Sequence, residues 1–290
     1  MNINEFKTEM DHTVCRITTD VKGPHVLVFG AIHGDETCGP DALLPMIEMF
    51  KAGELTLNAG TLTIVPICNL KAHEENDRQV EENLNRVFKK TDAPKSLEAQ
   101  YANALLPLLE GADYLVDLHS ASAVGPAFVF DDYEDAGTQF LASHVPCDYV
   151  VKGWNTLYPD AGGDVTTTDA AAKLGVAAIC LECGEHNDPK APEVGHEGVL
   201  NVLRGLDMTD GKAITYQPTA IRMTEVVYRP TVMEVFSRDW LNFHPVEKGT
   251  ILIQDKAGKP TRVANDDCIM LMPKSWADVG EEWYYLAKAE

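Results

Sequence analysis

Basic residues are scarce in this sequence. Its 290 residues include 24 Lys and Arg against 45 Asp and Glu, which gives a formal net charge of −21 at pH 7. A protein that follows nucleic-acid phosphates needs a basic face, so this balance argues against a nucleic-acid partner. A single-sign charge of this size favours solubility and says little about the fold.

Long apolar runs are also missing. No stretch reaches the roughly 18 apolar residues that a membrane-spanning helix requires. The N-terminal segment MNINEFKTEMDHTV lacks the basic residues and apolar run of a signal peptide. The 7 Cys, an odd number at irregular spacing, are more typical of reduced thiols than of a disulfide framework. We therefore expect a cytoplasmic protein without a membrane partner.

The first part of the chain alternates short apolar runs with segments of helical spacing. The apolar runs, which predict buried strands, are residues 25–32, 61–68, 114–118 and 176–181. The segments that predict helices are residues 37–50, 96–109, 164–174 and 192–206. This alternation predicts an α/β domain over residues 1–210, with a mixed, mostly parallel sheet flanked by helices.

The pattern changes after about residue 210. Short β-prone pieces follow one another there, separated by turn signals such as Lys248-Gly249, and no helix of normal length fits. We therefore predict a small all-β domain over residues 211–290.

Three of the predicted strands end in residues suited to chemistry. His33 follows the first strand, His119 the third and Glu182 the fourth, and Glu36 stands three residues beyond His33. Ligands of open α/β sheets bind beyond the carboxyl ends of strands, so these side chains are expected to meet. His33, Glu36 and His119 offer two imidazoles and a carboxylate, which leaves the fourth tetrahedral position of a catalytic zinc for water. Glu182 is then the natural proton acceptor.

A polar segment between Asn69 and Lys90 contains Arg78 and the pair Asn85-Arg86. Guanidinium groups bind carboxylates through two hydrogen bonds and stabilise developing oxyanions, which would suit a substrate site. The alternative is a solvated loop whose arginines pair with its own acidic residues, Glu74, Glu75, Asp77, Glu81 and Glu82. Composition alone favours this alternative. Asp117 is open in a similar way, either as a partner of His119 or as a buried hydrogen-bonding group.

At these residues the chain resembles the succinylglutamate desuccinylase/aspartoacylase family, relatives of the zinc carboxypeptidases. The matching pieces, in order, are GAIHGDET from Gly30, NLNRVF from Asn83, DLHS from Asp117 and LECG from Leu181. The resemblance implies one zinc per chain held by His33, Glu36 and His119, with Glu182 as general base. It implies that Arg78 polarises the scissile carbonyl, and that Asn85 and Arg86 hold a substrate carboxylate.

One position departs from the family pattern. Aspartoacylases carry an arginine ten residues before the base that reads a second carboxylate, and counting back from Glu182 gives Ala172. We therefore expect N-acyl derivatives of neutral amino acids to be better substrates than N-acetylaspartate. The oligomeric state, monomer or homo-oligomer, stays open. The roles of five further residues also stay open: His186, His196, Tyr158, Tyr284 and Tyr285.

Together these features predict zinc-dependent hydrolysis of an amide bond in a small, carboxylate-bearing molecule such as an N-acyl amino acid. A zinc carboxypeptidase acting on short peptides would use the same catalytic residues. A non-catalytic binding protein on the same fold is the third alternative, although the intact set of ligands, base and Arg78 argues against it.

Overall fold

The structure is a computed structural model that describes residues 1–158 and 165–290. Its strands are β1 Asn2–Lys7, β2 Thr13–Thr18, β3 His25–Gly30, β4 Thr61–Val65, β5 Tyr114–Ala121, β6 Phe128–Phe130, β7 Tyr149–Lys152, β8 Ala177–Glu185, β9 Thr219–Tyr228, β10 Glu234–Phe236, β11 His244–Val246, β12 Ile251–Asp255, β13 Pro260–Val263, β14 Cys268–Leu271 and β15 Glu282–Ala289. Its α-helices are α1 Cys38–Ala52, α2 Leu70–Glu75, α3 Leu97–Leu105, α4 Ala136–His144, α5 Trp154–Leu157, α6 Thr167–Lys173 and α7 Ala191–Gly205.

Twelve strands form one sheet in the order β1-β2-β4-β3-β5-β8-β6-β7-β9-β15-β14-β11. The central strands β4, β3, β5 and β8 are mutually parallel, whereas both ends of the sheet are antiparallel. The predicted class, a mixed α/β sheet flanked by helices with additional C-terminal strands, is confirmed.

Helices cover both faces of the parallel centre. On one face α1 and α7 contribute Met46, Phe50 and Leu203 to a core with the strand residues. On the other face α3 and α6 pack residues such as Leu105 and Ala171 against the sheet. Because both faces are buried, the central strands carry apolar residues on both faces rather than alternating, as the sequence indicated.

The predicted strands and helices are present, with shifted ends. β5 and β8 run on to Ala121 and Glu185, so His119 and Glu182 lie within their strands rather than after them. The helix predicted over residues 164–174 begins at Thr167, and residue 164 lies outside the described residues. Ser96 caps α3, where its hydroxyl accepts the Ala99 N–H. The short strands β6 and β7 and the edge strand β1, exposed along much of its length, lacked a predictive pattern.

The C-terminal strands continue the main sheet. β9 lies parallel to β7 and antiparallel to β15, while β10, β12 and β13 form a separate three-stranded sheet. The division at residue 210 remains a prediction. Over residues 1–158 and 165–290, no helix combines the length and apolar character needed to cross a bilayer.

The turn after β3 has no room for a side chain at Gly34. A Cβ atom there would lie 2.1 Å from the Ala72 carbonyl carbon and 2.3 Å from the His73 nitrogen, both backbone atoms of α2. The glycine therefore lets α2 approach the segment between His33 and Glu36.

We predict that Gly34→Ala lowers the free energy of unfolding by about 3 kcal/mol, because overpacking against backbone cannot be relieved by a rotamer change. Gly111→Ala is the matched control. Gly111 has φ +77° but open space around its Cβ position, so only the left-handed strain of ~1–2 kcal/mol applies. Chemical denaturation measures both variants, and equal losses would contradict the close approach at Gly34.

Candidate active site

Three buried side chains converge where β3 and β5 end. Nδ1 of His33 lies 2.7 Å from Oε1 of Glu36, and Nδ1 of His119 lies 2.8 Å from Oε2 of the same carboxylate. Each of the three is at most 4% exposed. Their candidate ligand atoms lie within 4.8 Å of one another, close enough to share one metal ion. The predicted ligand set is therefore brought together.

The other ring nitrogen of each histidine faces an acceptor. His33 Nε2 lies 3.0 Å from Oδ1 of Asn83, and His119 Nε2 lies 3.0 Å from Oδ2 of Asp117. The Asp117 contact is electrostatic, because its geometry falls short of a hydrogen bond. Acceptors at Nε2 favour the tautomer with its proton there and leave both Nδ1 lone pairs for a cation. The donor set thus fits a metal ion with nitrogen and oxygen preferences.

The same cluster shifts the protonation of its members. Burial lowers the pKa of His33 to about 4, which favours the neutral imidazole that a metal needs. Burial works against the charge of Glu36, yet the two imidazoles outweigh it and hold the pKa of that carboxyl well below its usual value. Glu36 is thus an ionised carboxylate, the form that binds a metal ion.

Glu182 reaches the same space from the next strand. It stands opposite His119 in the parallel register of β5 and β8. Its Oε2 atom is shielded from solvent and has no hydrogen-bond partner among the described residues. Burial, followed by the charge of Glu36, raises the pKa of Glu182 to about 7. Such a carboxyl can exchange a proton near neutral pH.

The loop before α3 does not pair its arginines with its own acidic residues. Arg78 donates to Oε1 of Glu36 at 3.0 Å and lines the cavity, which overturns the solvated-loop alternative for this residue. Glu81 and Glu82 instead bind the start of α3, at Leu97 and Ser96.

Buried Glu98 of α3 holds this loop in place. Its carboxylate accepts the backbone N–H groups of Val80, Glu81 and Glu82 at 2.7–3.3 Å. Three N–H groups converging on one carboxylate fix the backbone between Arg78 and the Asn83–Arg86 segment.

Asn85 and Arg86 stand at the cavity wall. Oδ1 of Asn85 accepts the Thr167 N–H at 2.9 Å, so the amide NH₂ is left for another partner. The guanidinium of Arg86 lies 5.1 Å from the ring centroid of Trp154 and donates to the Asn85 carbonyl at 2.7 Å. The Asn85 NH₂ and the Arg86 guanidinium are both hydrogen-bond donors that can bind a carboxylate.

These groups line one cavity of about 650 Å³, the size of a small-molecule site. The C-terminal strands and their connections form part of its wall through Met272, Lys274, Trp276, Glu282 and Tyr285. The residues around the start of α6 that line it are Thr166, Thr168 and Asp169, whereas Ala172 is not among the lining residues described. No cation therefore reaches the cavity from this helix within the described residues.

The residues whose roles the sequence left open lie in different parts of the structure. His186 lines the cavity and bonds the Ser120 hydroxyl at 2.8 Å. Tyr285 also lines it, with its hydroxyl 2.9 Å from that of Tyr158. Tyr284 packs in the C-terminal core, and His196 lies on α7.

The fold and the site together define an α/β protein with a candidate metal centre at the carboxyl edge of the central strands. A model of the succinylglutamate desuccinylase/aspartoacylase catalytic domain matches residues 22–206. The chain belongs to this family, whose members are deacylases of N-acyl amino acids.

Individual relatives are distant in sequence and close in fold. Succinylglutamate desuccinylase from Burkholderia orbicola is 25% identical over 247 residues, covering 79% of this chain and 71% of the relative. A succinylglutamate desuccinylase/aspartoacylase crystal structure from Rhodobacter sphaeroides has a TM-score of 0.79 at 18% identity, covering 99% of this chain and 94% of that one. The product-bound ectoine utilization protein EutE (DoeB) from Ruegeria pomeroyi has a TM-score of 0.77 at 21% identity, with coverages of 98% and 93%.

The Glu98 contact generates a prediction about substrate binding. Removing the carboxylate by Glu98→Ala should lower the free energy of unfolding by about 2–3 kcal/mol, since charge-assisted hydrogen bonds are lost. It should also raise KM, because the loop that carries Asn85 and Arg86 loosens. Glu98→Gln keeps one acceptor oxygen and should be milder, and Glu110→Ala is the exposed control. An unchanged KM in Glu98→Ala, measured beside its denaturation curve, would contradict the positioning role.

Proposed function

We propose that this protein is a zinc-dependent amidohydrolase that removes the acyl group from a small N-acyl amino acid or a related amide bearing a carboxylate. The observation that carries the proposal is the shared contact of His33 and His119 with Glu36, beside Glu182, whose Oε2 has no hydrogen-bond partner among the described residues. Membership of the deacylase family supports the reaction type.

His33, Glu36 and His119 would hold one zinc ion through two Nδ1 atoms and a carboxylate oxygen. Zinc bound in this way supplies Lewis acidity, which lowers the pKa of water and polarises a carbonyl oxygen. Asn83 and Asp117 keep the two imidazole rings oriented for this task.

Glu182 moves the proton in the proposed reaction. Its raised pKa, together with the partner-free Oε2, suits a carboxylate that takes a proton from the attacking water and passes it to the departing amine. A donor bound to Oε2 would occupy the oxygen that has to accept this proton.

Arg78, Asn85 and Arg86 bind the substrate. Arg78 stands beside Glu36 and can stabilise the oxyanion that develops on the scissile carbonyl. The NH₂ of Asn85 and the guanidinium of Arg86, which line the same cavity, can hold the substrate carboxylate.

The cavity walls favour substrates with one carboxylate. Acidic residues outnumber Lys and Arg in the described lining of the cavity. Besides Glu36 and Glu182, they are Asp35, Asp132, Asp169, Glu281 and Glu282. Two of the cations have acidic neighbours: Arg78 contacts Glu36, and Lys274 lies 3.7 Å from Glu282. The volume and the C-terminal residues in the wall favour small substrates over peptides.

The first prediction separates metal binding from proton transfer. His119→Ala should lose zinc, whereas Glu182→Gln should keep it and lose turnover by about 10²–10⁴-fold, since only the base is removed. His196→Ala, on α7, is the matched control and should change neither. The zinc content and the kcat of each variant are the measurements. Loss of zinc from Glu182→Gln would show that Glu182 is a metal ligand rather than the base.

The second prediction concerns selectivity. N-acetylalanine should be cleaved with a higher kcat/KM than N-acetylaspartate or a short peptide. One missing charge-assisted contact is worth ~1.5–3 kcal/mol, or roughly 10–100-fold. Besides Arg78 and Arg86, the described lining of the cavity contains one further Lys or Arg, Lys274. Lys274→Met should therefore reduce kcat/KM for N-acetylaspartate further while leaving N-acetylalanine within about 3-fold.

Exposed Lys288→Met is the control for the loss of one positive charge. N-Succinylglutamate belongs in the same panel, because the curated relatives carry its name. A clear preference for a dicarboxylate that disappears in Lys274→Met would show that Lys274 replaces the missing arginine. A preference for the peptide would favour a carboxypeptidase.

A further inference from the structure

Thr167 lies between the candidate metal site and the pair Asn85-Arg86, which we call the candidate substrate clamp. It is the first residue of α6 and is fully buried. Its hydroxyl donates to Oδ2 of Asp117, the oxygen that also faces His119. Its backbone N–H donates to Oδ1 of Asn85. One residue thus contacts both the group that orients a ligand and the group that would bind substrate.

The hydroxyl matters because Asp117 is a buried carboxylate with few donors. Asp117 is fully buried, and its Oδ1 has no hydrogen-bond partner among the described residues. The Thr167 hydroxyl and His119 are therefore its principal polar contacts. The Thr167 hydroxyl is the hydrogen-bond donor that the described residues give Asp117, and a buried carboxylate that loses its donor is destabilised and can change orientation. The orientation of Asp117, and through it of His119, depends on Thr167.

The backbone around Thr167 is itself held firmly. Thr166 caps α6 in a reciprocal arrangement with Asp169, and Asp169 also accepts the Tyr133 hydroxyl. Two residues before Thr167, Val165 pairs with the clamp segment through Phe88 N–H to Val165 O at 2.9 Å and Val165 N–H to Arg86 O at 2.7 Å.

These contacts fix the distance between Thr167 and the Asn85-Arg86 pair. Because Oδ1 of Asn85 is occupied by the Thr167 N–H, its NH₂ is directed to other partners.

We propose that Thr167 is a positioning residue. Its hydroxyl, acting through Asp117, fixes the orientation of the proposed metal ligand His119, and its backbone N–H fixes the orientation of the Asn85 side chain in the substrate clamp. This inference rests on the proposed function, since it assigns zinc to His33, Glu36 and His119. The two arms act through different atoms, so they can be separated by substitution.

The hydroxyl arm is tested by Thr167→Val, which keeps the branched shape and the backbone N–H but removes the donor. The apparent zinc Kd, measured by chelator competition, should rise about 10–100-fold, as for other partners of metal ligands. Thr167→Ser restores the hydroxyl and should return the Kd to within about 3-fold of the unmodified protein. The KM of zinc-saturated Thr167→Val should change little, because the N–H to Asn85 remains.

The substrate-binding role of Asn85, on which the second arm depends, is tested by Asn85→Asp, which keeps an acceptor for the Thr167 N–H and replaces the donor NH₂ by an acidic oxygen. KM should rise at least 10-fold for a carboxylate substrate while the zinc Kd stays unchanged. Thr138→Val is the control, since Thr138 is a buried threonine in the first turn of α4. It should alter neither quantity.

Thermal unfolding of the zinc-free variants checks that each has folded. If Thr167→Val does not fold, Thr167→Ala compared with Thr167→Ser gives the same contrast. A wild-type zinc Kd in Thr167→Val, or a Thr167→Ser as weak as Thr167→Val, would overturn the positioning role while leaving the proposed function intact. Failure of the unmodified protein to bind zinc would overturn both.

Discussion

A single buried carboxylate organises this site. Glu36 is 2% exposed and yet ionised, because His33, His119, Arg78 and the Ser120 N–H all approach its two oxygens. An isolated charge at that depth would be prohibitively costly. The arrangement is stable only while donors or a cation surround it, so the β3 turn, β5 and the Arg78 loop must all be in place together.

The sheet topology brings these groups to one point. β3, β5 and β8 are adjacent and parallel, which puts their carboxyl ends side by side although more than 140 residues separate His33 from Glu182. His119 and Glu182 are paired in register, so the candidate ligand and the proposed base are fixed by the same ladder of backbone hydrogen bonds. The rigidity of the site is inherited from strands buried on both faces, and catalytic groups held this way lose little entropy on substrate binding.

The parts of the site that the sequence predicts are those tied to strong local patterns. His33, Glu36, His119 and Glu182 follow apolar runs, and strand-end chemistry is readable from such runs. Asn83 and Glu98 were not assigned a role, although Asn83 lies within the NLNR motif. Nothing in the neighbourhood of Glu98 indicates that its carboxylate accepts three N–H groups from a loop 16–18 residues earlier.

Position along a helix was equally hard to infer. Counting ten residues back from Glu182 selects Ala172, but the cavity receives Thr168 and Asp169 from that helix. The helix ends at Lys173, and the turn through Gly175 before β8 separates it from the base, so a count along the chain does not give a position in space. None of the described residues of this helix brings a cation to the cavity, as the assignment of Ala172 predicts.

The C-terminal strands contribute cavity-lining residues that no sequence motif predicted. β15 pairs along most of its length with β9, and β9 with β7, so Tyr285 and Glu282 reach the cavity on a strand of the main sheet rather than on a loosely attached module. Tyr285 meets Tyr158 from the α/β part, and Glu282 accepts the same Tyr158 hydroxyl at 2.7 Å. Because these C-terminal residues line the cavity without belonging to the His-Glu-His cluster, changes among them can alter substrate selection while the cluster stays the same. That separation explains why the motifs give the reaction class more readily than the substrate.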